Sequence, residues 1–180
     1  MEPQKVTKQG ETVWIIDPRH TTIEFTIRNL FFFTLKGRFT DIAGTIKRDD
    51  ADISRSSVEA SVLAASIDTD NRRRDDHLRS TDFLDSKRYP RIIFQSEQVE
   101  RGRDRDALRI RGILTIRGKS REIEINVTEV DHSRSPQGEE VAYYGAVIEI
   151  NRFDFGIRYR RWPIGRRVKI EAYIQAVRQD

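Results

Sequence analysis

From Trp14 to Val177 the chain carries about eight segments in which every second residue is apolar. In Arg121–Val127, for example, Ile123, Ile125 and Val127 alternate with Glu122, Glu124 and Asn126. Successive side chains of a strand point to opposite faces, so each segment has one apolar and one charged face. Many such strands without a long helix between them form an antiparallel sheet that curls until its apolar faces meet. The pattern therefore predicts an all-β protein built as an eight-stranded antiparallel barrel.

Strands are expected at Val13–Ile16 and Thr22–Asn29, separated by a turn at Asp17-Pro18-Arg19-His20. Lys36–Arg48 resumes the alternation. Within it Phe39 and Ile42 are three apart, which requires a bend if both face inward, and Gly44 is the expected source of flexibility. Val58, Ala60 and Val62 follow, and Tyr89-Pro90 launches a strand containing Ile92 and Phe94. Four more strands are expected near Ala107–Arg117, Arg121–Val130, Glu140–Arg152 and Arg167–Arg178, with a hairpin loop over Asp131–Gly138. One short surface helix is predicted near residues 70–80, capped by Asp70 or Asn71, with Leu78 its one apolar residue and Phe83 and Leu84 just beyond. Residues 1–11 are polar and read as a flexible segment, leaving 12–180 as a single barrel domain.

The inward phase collects Phe25, Ile27, Phe39, Val62, Ile92, Phe94, Leu114, Ile116, Ile123, Ile125, Tyr144, Ile148, Ile150, Ile170 and Ile174. Small residues share that phase: Ala60, Gly112, Ala146, Ala172 and Ala176. A barrel of eight strands is either just filled by side chains or holds one slender ligand. Small residues beside large ones are compatible with a channel and equally with a tapered, filled interior.

Composition narrows the partners. Acidic and basic residues interleave, and the net charge of +4 is small against 33 basic and 29 acidic groups. Nucleic-acid binding, which calls for a one-sided basic face, is not expected. Arg72-Arg73-Arg74 is flanked by Asp70, Asp75 and Asp76 and reads as a solvated helix face. The absence of cysteine removes disulfides and thiol chemistry. No apolar run approaches the roughly 20 residues of a membrane-spanning helix, so no integral membrane segment is expected. The N-terminus carries no apolar leader, which predicts a cytoplasmic location, with a periplasmic or secreted one as the alternative if a leader has been removed.

Catalytic signals are weak. His20, His77 and His132 are far apart and in no metal-ligand spacing, so neither metal nor cofactor is expected. His77 lies in Asp75-Asp76-His77, but adjacent helical residues do not face each other, so Asp76 does not orient it from the same helix. Two segments suggest ligand contact instead. Leu30-Phe31-Phe32-Phe33 breaks the alternation and places aromatics where a barrel end is lined or plugged. Arg158-Tyr159-Arg160-Arg161-Trp162-Pro163 mixes cations with aromatics, with Arg158 and Arg160 as candidate head-group contacts.

Several separated motifs resemble the YceI family of lipocalin-like, polyisoprenoid-associated proteins. Asp17-Pro18-Arg19-His20-Thr21-Thr22-Ile23-Glu24-Phe25 looks like that family's opening, and Gly37-Arg38-Phe39-Thr40-Asp41-Ile42-Ala43-Gly44 is similar to its next strand. Arg74-Asp75-Asp76-His77-Leu78 with Thr81-Asp82-Phe83-Leu84 and Tyr89-Pro90 resembles its helical stretch, and Asn151-Arg152-Phe153-Asp154-Phe155-Gly156 its late turn. Asn29 stands where the family usually has His. The resemblance implies a hollow barrel holding an isoprenoid, quinone tail or similar lipid, and a helix motif that serves packing.

The expectation is thus a non-enzymatic carrier or sequestering protein for a long apolar lipid, with a homodimer allowed. Its ligand-binding residues are expected to be Phe25, Ile27, Leu30, Phe32, Phe39, Val62, Ile92, Phe94, Leu114, Ile116, Ile125, Tyr144, Ile148, Phe155, Trp162, Ile170 and Ile174. A filled barrel acting as an interaction or stress-response module is the alternative, with an enzyme on lipid-like substrates a further one.

Overall fold

The computed structural model describes residues 10–29, 33–160 and 164–179. Its strands are β1 (Glu11–Ile16), β2 (Thr22–Asn29), β3 (Thr34–Phe39), β4 (Ile42–Asp49), β5 (Ser57–Leu63), β6 (Ile67–Asp68), β7 (Arg91–Arg101), β8 (Ala107–Ile116), β9 (Lys119–Arg134), β10 (Glu140–Asn151) and β11 (Ile164–Gln179). All belong to one antiparallel sheet, which closes through β1 and β11. One α-helix, α1 (Arg72–Arg79), lies between β6 and β7 among the described residues.

The eleven strands make eight staves, because three staves are each broken into two. β11 pairs along one edge with β10 and along the other with β2 near its start and β1 near its end. β3 and β4 pair with β2 and β1 in the same way, and β5 and β6 with β4 and β3. The result is the predicted closed, eight-stranded meander.

Two of the three breaks have a local cause in side-chain hydrogen bonds. Between β1 and β2 the Asp17 carboxylate accepts from the Arg19 backbone N–H at 3.0 Å, the Arg19 Nε at 3.2 Å and the His20 ring at 2.8 Å. Those bonds hold a turn around Pro18, which has no N–H to give a ladder. Between β3 and β4 the chain bends at Thr40 and Asp41, whose backbone N–H groups both reach the Ser66 hydroxyl. That bend, and not Gly44, brings Phe39 and Ile42 to the same side. Gly44 sits inside β4, where a Cβ would come within 2.6 Å of Ile16 Cδ1 and 2.7 Å of the Glu59 carbonyl. Its role is close packing, which corrects the expected source of flexibility.

The β9–β10 hairpin is tighter than the loop expected over Asp131–Gly138. β9 continues to Arg134, and the Ser135 N–H closes the loop on the Glu139 carbonyl at 2.8 Å. His132, expected in a loop, therefore lies in a strand. At α1 the cap is Asn71, whose side chain accepts from the Arg74 N–H at 3.0 Å. Arg74 is not part of a solvated face: its guanidinium donates to the hydroxyl and the carbonyl of Thr69.

Candidate functional site: an apolar barrel cavity

The barrel is hollow. A cavity of about 260 Å³ runs through its interior, and of the described residues lining it all but Arg152 are apolar. That volume approaches the roughly 300–1,000 Å³ of ligand pockets. Ile123, Ile125, Ile148, Ile150 and Ile170 all point inward yet are only half-buried, because part of each faces empty space. The void follows from the small residues. Ala146 and Ala172 face each other across β10 and β11, and Ala60 sits opposite Phe94. A densely filled interior is thereby excluded.

The lining includes Phe25, Ile27, Phe39, Val62, Ile92, Phe94, Leu114, Ile116, Ile125, Ile148, Phe155, Ile170 and Ile174. Tyr144 does not belong to it. It faces inward, but in the cluster of Trp14, Ala142 and Ala176 that fills one end of the barrel. Leu30, Phe32 and Trp162 lie outside the described residues, as does Phe31. Arg158 and Arg160 are exposed and off the cavity wall: Arg158 borders a polar crevice on the outside, and Arg160 lies 5.5 Å over the Phe153 ring.

The end occupied by Trp14 is closed by the strands' own side chains. Trp14, 2% exposed, packs with Ala142, Tyr144 and Ala176, backed by Ile46, Val127 and Ile174. Its indole donates to Thr12 Oγ1 at 2.9 Å, and the His132 ring stands edge-on at 5.3 Å. Above it Arg48 bridges Glu129 at 2.8 Å, the Tyr144 hydroxyl at 3.2 Å and Asp50 at 2.6 Å. Burial works against the Arg48 charge, but the bonds to Glu129 and Asp50 outweigh it and hold its pKa above the ordinary value. Burial likewise raises the Tyr144 pKa, against the pull of Arg48.

The other end is closed by a detour of the chain. Leu78 of α1, with Phe83 and Leu84, faces the cavity, as do Phe155 and Ile157 from the turn after β10. The predicted surface helix is thus a lid, although Leu78 is its one apolar residue. Arg152 holds the turn. It is 4% exposed, and its guanidinium donates to the carbonyls of Gly165 (2.9 Å), Ile157 (2.7 Å), Tyr159 (3.0 Å) and Ile164 (3.2 Å). Burial lowers its pKa, with Arg160 and Arg166 adding to the effect. Pinning the charged head against four carbonyls leaves the side chain's carbon stem for the cavity wall.

His77 belongs to this lid. Its Nε2 lies 2.9 Å from Asp82 Oδ2, while Asp76 pairs with Arg79 at 3.1 Å. The ring packs edge-on against Phe83 at 5.1 Å and Tyr159 at 5.0 Å. Among the described residues no group of three His, Cys, Asp or Glu side chains is placed to hold a metal ion, and no helix is long and apolar enough to cross a membrane.

Sequence reasoning missed Trp14 and Arg152. Both were marked by phase. Trp14 and Ile16 alternate inward, and Arg152 ends the inward series Tyr144, Ala146, Ile148, Ile150. A lone arginine in an inward phase signals a buried donor seeking carbonyls.

Known proteins resemble this one in sequence or in fold. Protein YceI of Escherichia coli O157:H7 is 30% identical over 175 residues, 97% of this chain and 86% of that protein. The structure of Burkholderia cenocepacia BcnA superposes with a TM-score of 0.80 at 20% identity, covering 89% of this chain and 98% of that one. A polyisoprenoid-binding domain from Saccharophagus degradans, implicated in plant cell wall breakdown, superposes with a TM-score of 0.69 at 12% identity, over 96% and 100% of the two chains. At such identities these two likenesses speak to the fold alone. The YceI-like domain profile matches residues 14–176, nearly the whole barrel, and the chain belongs to the YceI-like domain family.

Proposed function

We propose that this protein binds one long apolar lipid of the polyisoprenoid, isoprenoid-quinone or fatty-acyl type in the barrel, and carries or sequesters it without chemical change. The observation that carries the reading is the cavity, whose lining is apolar but for Arg152, with that guanidinium already engaged by four carbonyls. An apolar void of this kind stays dry and favours apolar guests. Each methylene moved from water into it contributes about 0.8 kcal/mol, so a chain of several isoprene units binds tightly without polar contacts. The Saccharophagus degradans domain of the same fold, described as polyisoprenoid-binding, supports the ligand class.

Mass spectrometry of an organic extract of the purified protein tests this. A long-chain apolar molecule in near-stoichiometric amount is expected, and a compact polar metabolite would overturn the reading. The variant Ala172→Phe should fill the middle of the cavity. It should cut the extracted lipid several-fold while the thermal midpoint holds or rises, since a void is being filled. Undiminished lipid in that variant would place the cargo elsewhere.

A further inference from the structure

The arginines of this protein fall into two populations. Along the walls and at the Trp14 end they pair with carboxylates: Arg109 with Glu100, Arg111 with Glu122 and Glu124, Arg48 with Glu129, and Arg178 with Glu140. At the α1 end the buried or half-buried ones bond backbone carbonyls, with Arg79 pairing Asp76 as well. Arg117 donates to Gly156 and Thr81 at 2.9 and 2.8 Å, and Arg152 to its four carbonyls. A carbonyl satisfies the donors but leaves the positive charge in place.

Further cations surround that end. Arg88, Lys119 and Arg158 are exposed, and none forms an ion pair among the described residues. With Arg117, Tyr89, Gly156 and Asp85 they line a crevice of about 290 Å³ between the β8–β9 turn, the segment after α1 and the turn after β10. Among the described residues Asp85 is the crevice's one carboxylate. The crevice floor is tightly built: a Cβ on Gly118, whose φ is +67°, would meet Tyr89 at 2.6 Å, and one on Gly156 would meet Lys119 at 2.9 Å. Beside it Arg152, Arg160 and Arg166 lie 4.8, 5.5 and 4.9 Å from the Phe153 ring. Asp154, in the same turn, is the acid nearest in sequence to Arg152 and Arg160, and Glu171 the one nearest to Arg166. Phe33, just before β3 at this end, is 73% exposed.

We propose that the α1 end, centred on the crevice of Arg88, Lys119 and Arg158, docks on the surface of an anionic phospholipid bilayer. Cations unmatched by protein acids are attracted to the negative surface potential of such a bilayer, and an exposed aromatic suits its interface. The crevice seats lipid phosphates. Gly156 lines the crevice while its neighbours Phe155 and Ile157 line the cavity, so the docked face is the outer side of the cavity's lid. The inference rests on surface charge and does not require the cavity to be filled.

Co-sedimentation with vesicles of phosphatidylcholine, with and without phosphatidylglycerol, tests it. The protein should partition onto the phosphatidylglycerol vesicles and leave them as salt rises. Each basic residue near such a surface is worth about fivefold in partitioning, so Arg88→Gln/Lys119→Gln/Arg158→Gln together should lose roughly a hundredfold. The control Arg101→Gln/Arg103→Gln/Arg105→Gln removes the same charge from the β7–β8 turn at the opposite end, where Asp104 and Asp106 intervene, and should lose less than about fivefold. Equal loss in the two triple variants would overturn the placement. No preference for phosphatidylglycerol, or full displacement by millimolar inorganic phosphate, would overturn the docking surface. Sedimentation reads the protein and extraction reads the cargo, so failure here and failure of the lipid-carrier reading are separate results.

Discussion

The two ends of the barrel are closed by different physics. At the Trp14 end the strands run on and their own side chains meet, so the backbone is already paired and only charge and shape remain to be matched. Ion pairs such as Arg48 with Glu129 finish that surface. At the α1 end the chain leaves the sheet, and each irregular turn exposes carbonyls that no ladder satisfies. Arginine, with five donors in a planar fork, takes them up. Arg79 bonds the carbonyls of Ala65 and Ile67 at 2.7 and 2.9 Å, as Arg117 and Arg152 do elsewhere. The same residue type thus balances charge at one end, and at the other completes backbone hydrogen bonding even where, as at Arg79, it also meets an acid.

The largest test of this contrast is Trp14→Ala. It removes the packed plug from the side-chain end and should cost about 3–5 kcal/mol in urea unfolding. A loss below about 1 kcal/mol would show that Trp14 does not carry the closure. Next comes Arg152→Lys, which keeps the charge but cannot reach four carbonyls. Carbonyls left buried without donors should cost about 2–3 kcal/mol. Full stability in the lysine variant would mean that charge, and not the fork of donors, holds the turn.

The smallest test sits between the two ends, at the turn joining β1 to β2. Hydrogen bonds from His20 and Arg19 pull the Asp17 pKa from 3.8 down to about 2. A carboxylate held below its unfolded value stabilises the fold above that unfolded value. Its contribution fades as pH falls through the folded one. Asp17→Asn should therefore destabilise by about 1–2 kcal/mol at neutral pH, and the gap to the parent protein should close near pH 2. A gap that persists at that pH would assign the loss to shape and not to charge.

The barrel was legible because period-two alternation is a direct consequence of strand geometry, and it survives for stretches as long as β9. The cavity was half legible. Ala146 and Ala172 were visibly small and inward, but only their pairing at one level on adjacent strands makes a void, and register is a tertiary fact. The lid was hidden because α1 contributes a single apolar residue, and its hold on the barrel comes from arginine-to-carbonyl bonds that no hydrophobic pattern reports. Tyr144 was misplaced for the opposite reason: its inward phase was right, but phase does not say at which level along the axis a residue sits.

The meander order of the staves bears on how the molecule assembles. Seven seams join neighbours in sequence, whereas the eighth pairs Val13 with Gln179, near opposite ends of the chain. Forming that seam first would cost roughly 3 kcal/mol more loop-closure entropy than forming the hairpin between β9 and β10. Zipping in sequence order therefore leaves β1–β11 as the last seam to form. It also brings Val13 and Gln179 side by side, so a circular permutant joined there and opened in the 135–139 loop keeps every pairing, makes β1–β11 a local seam and moves the longest closure to the seam between β9 and β10.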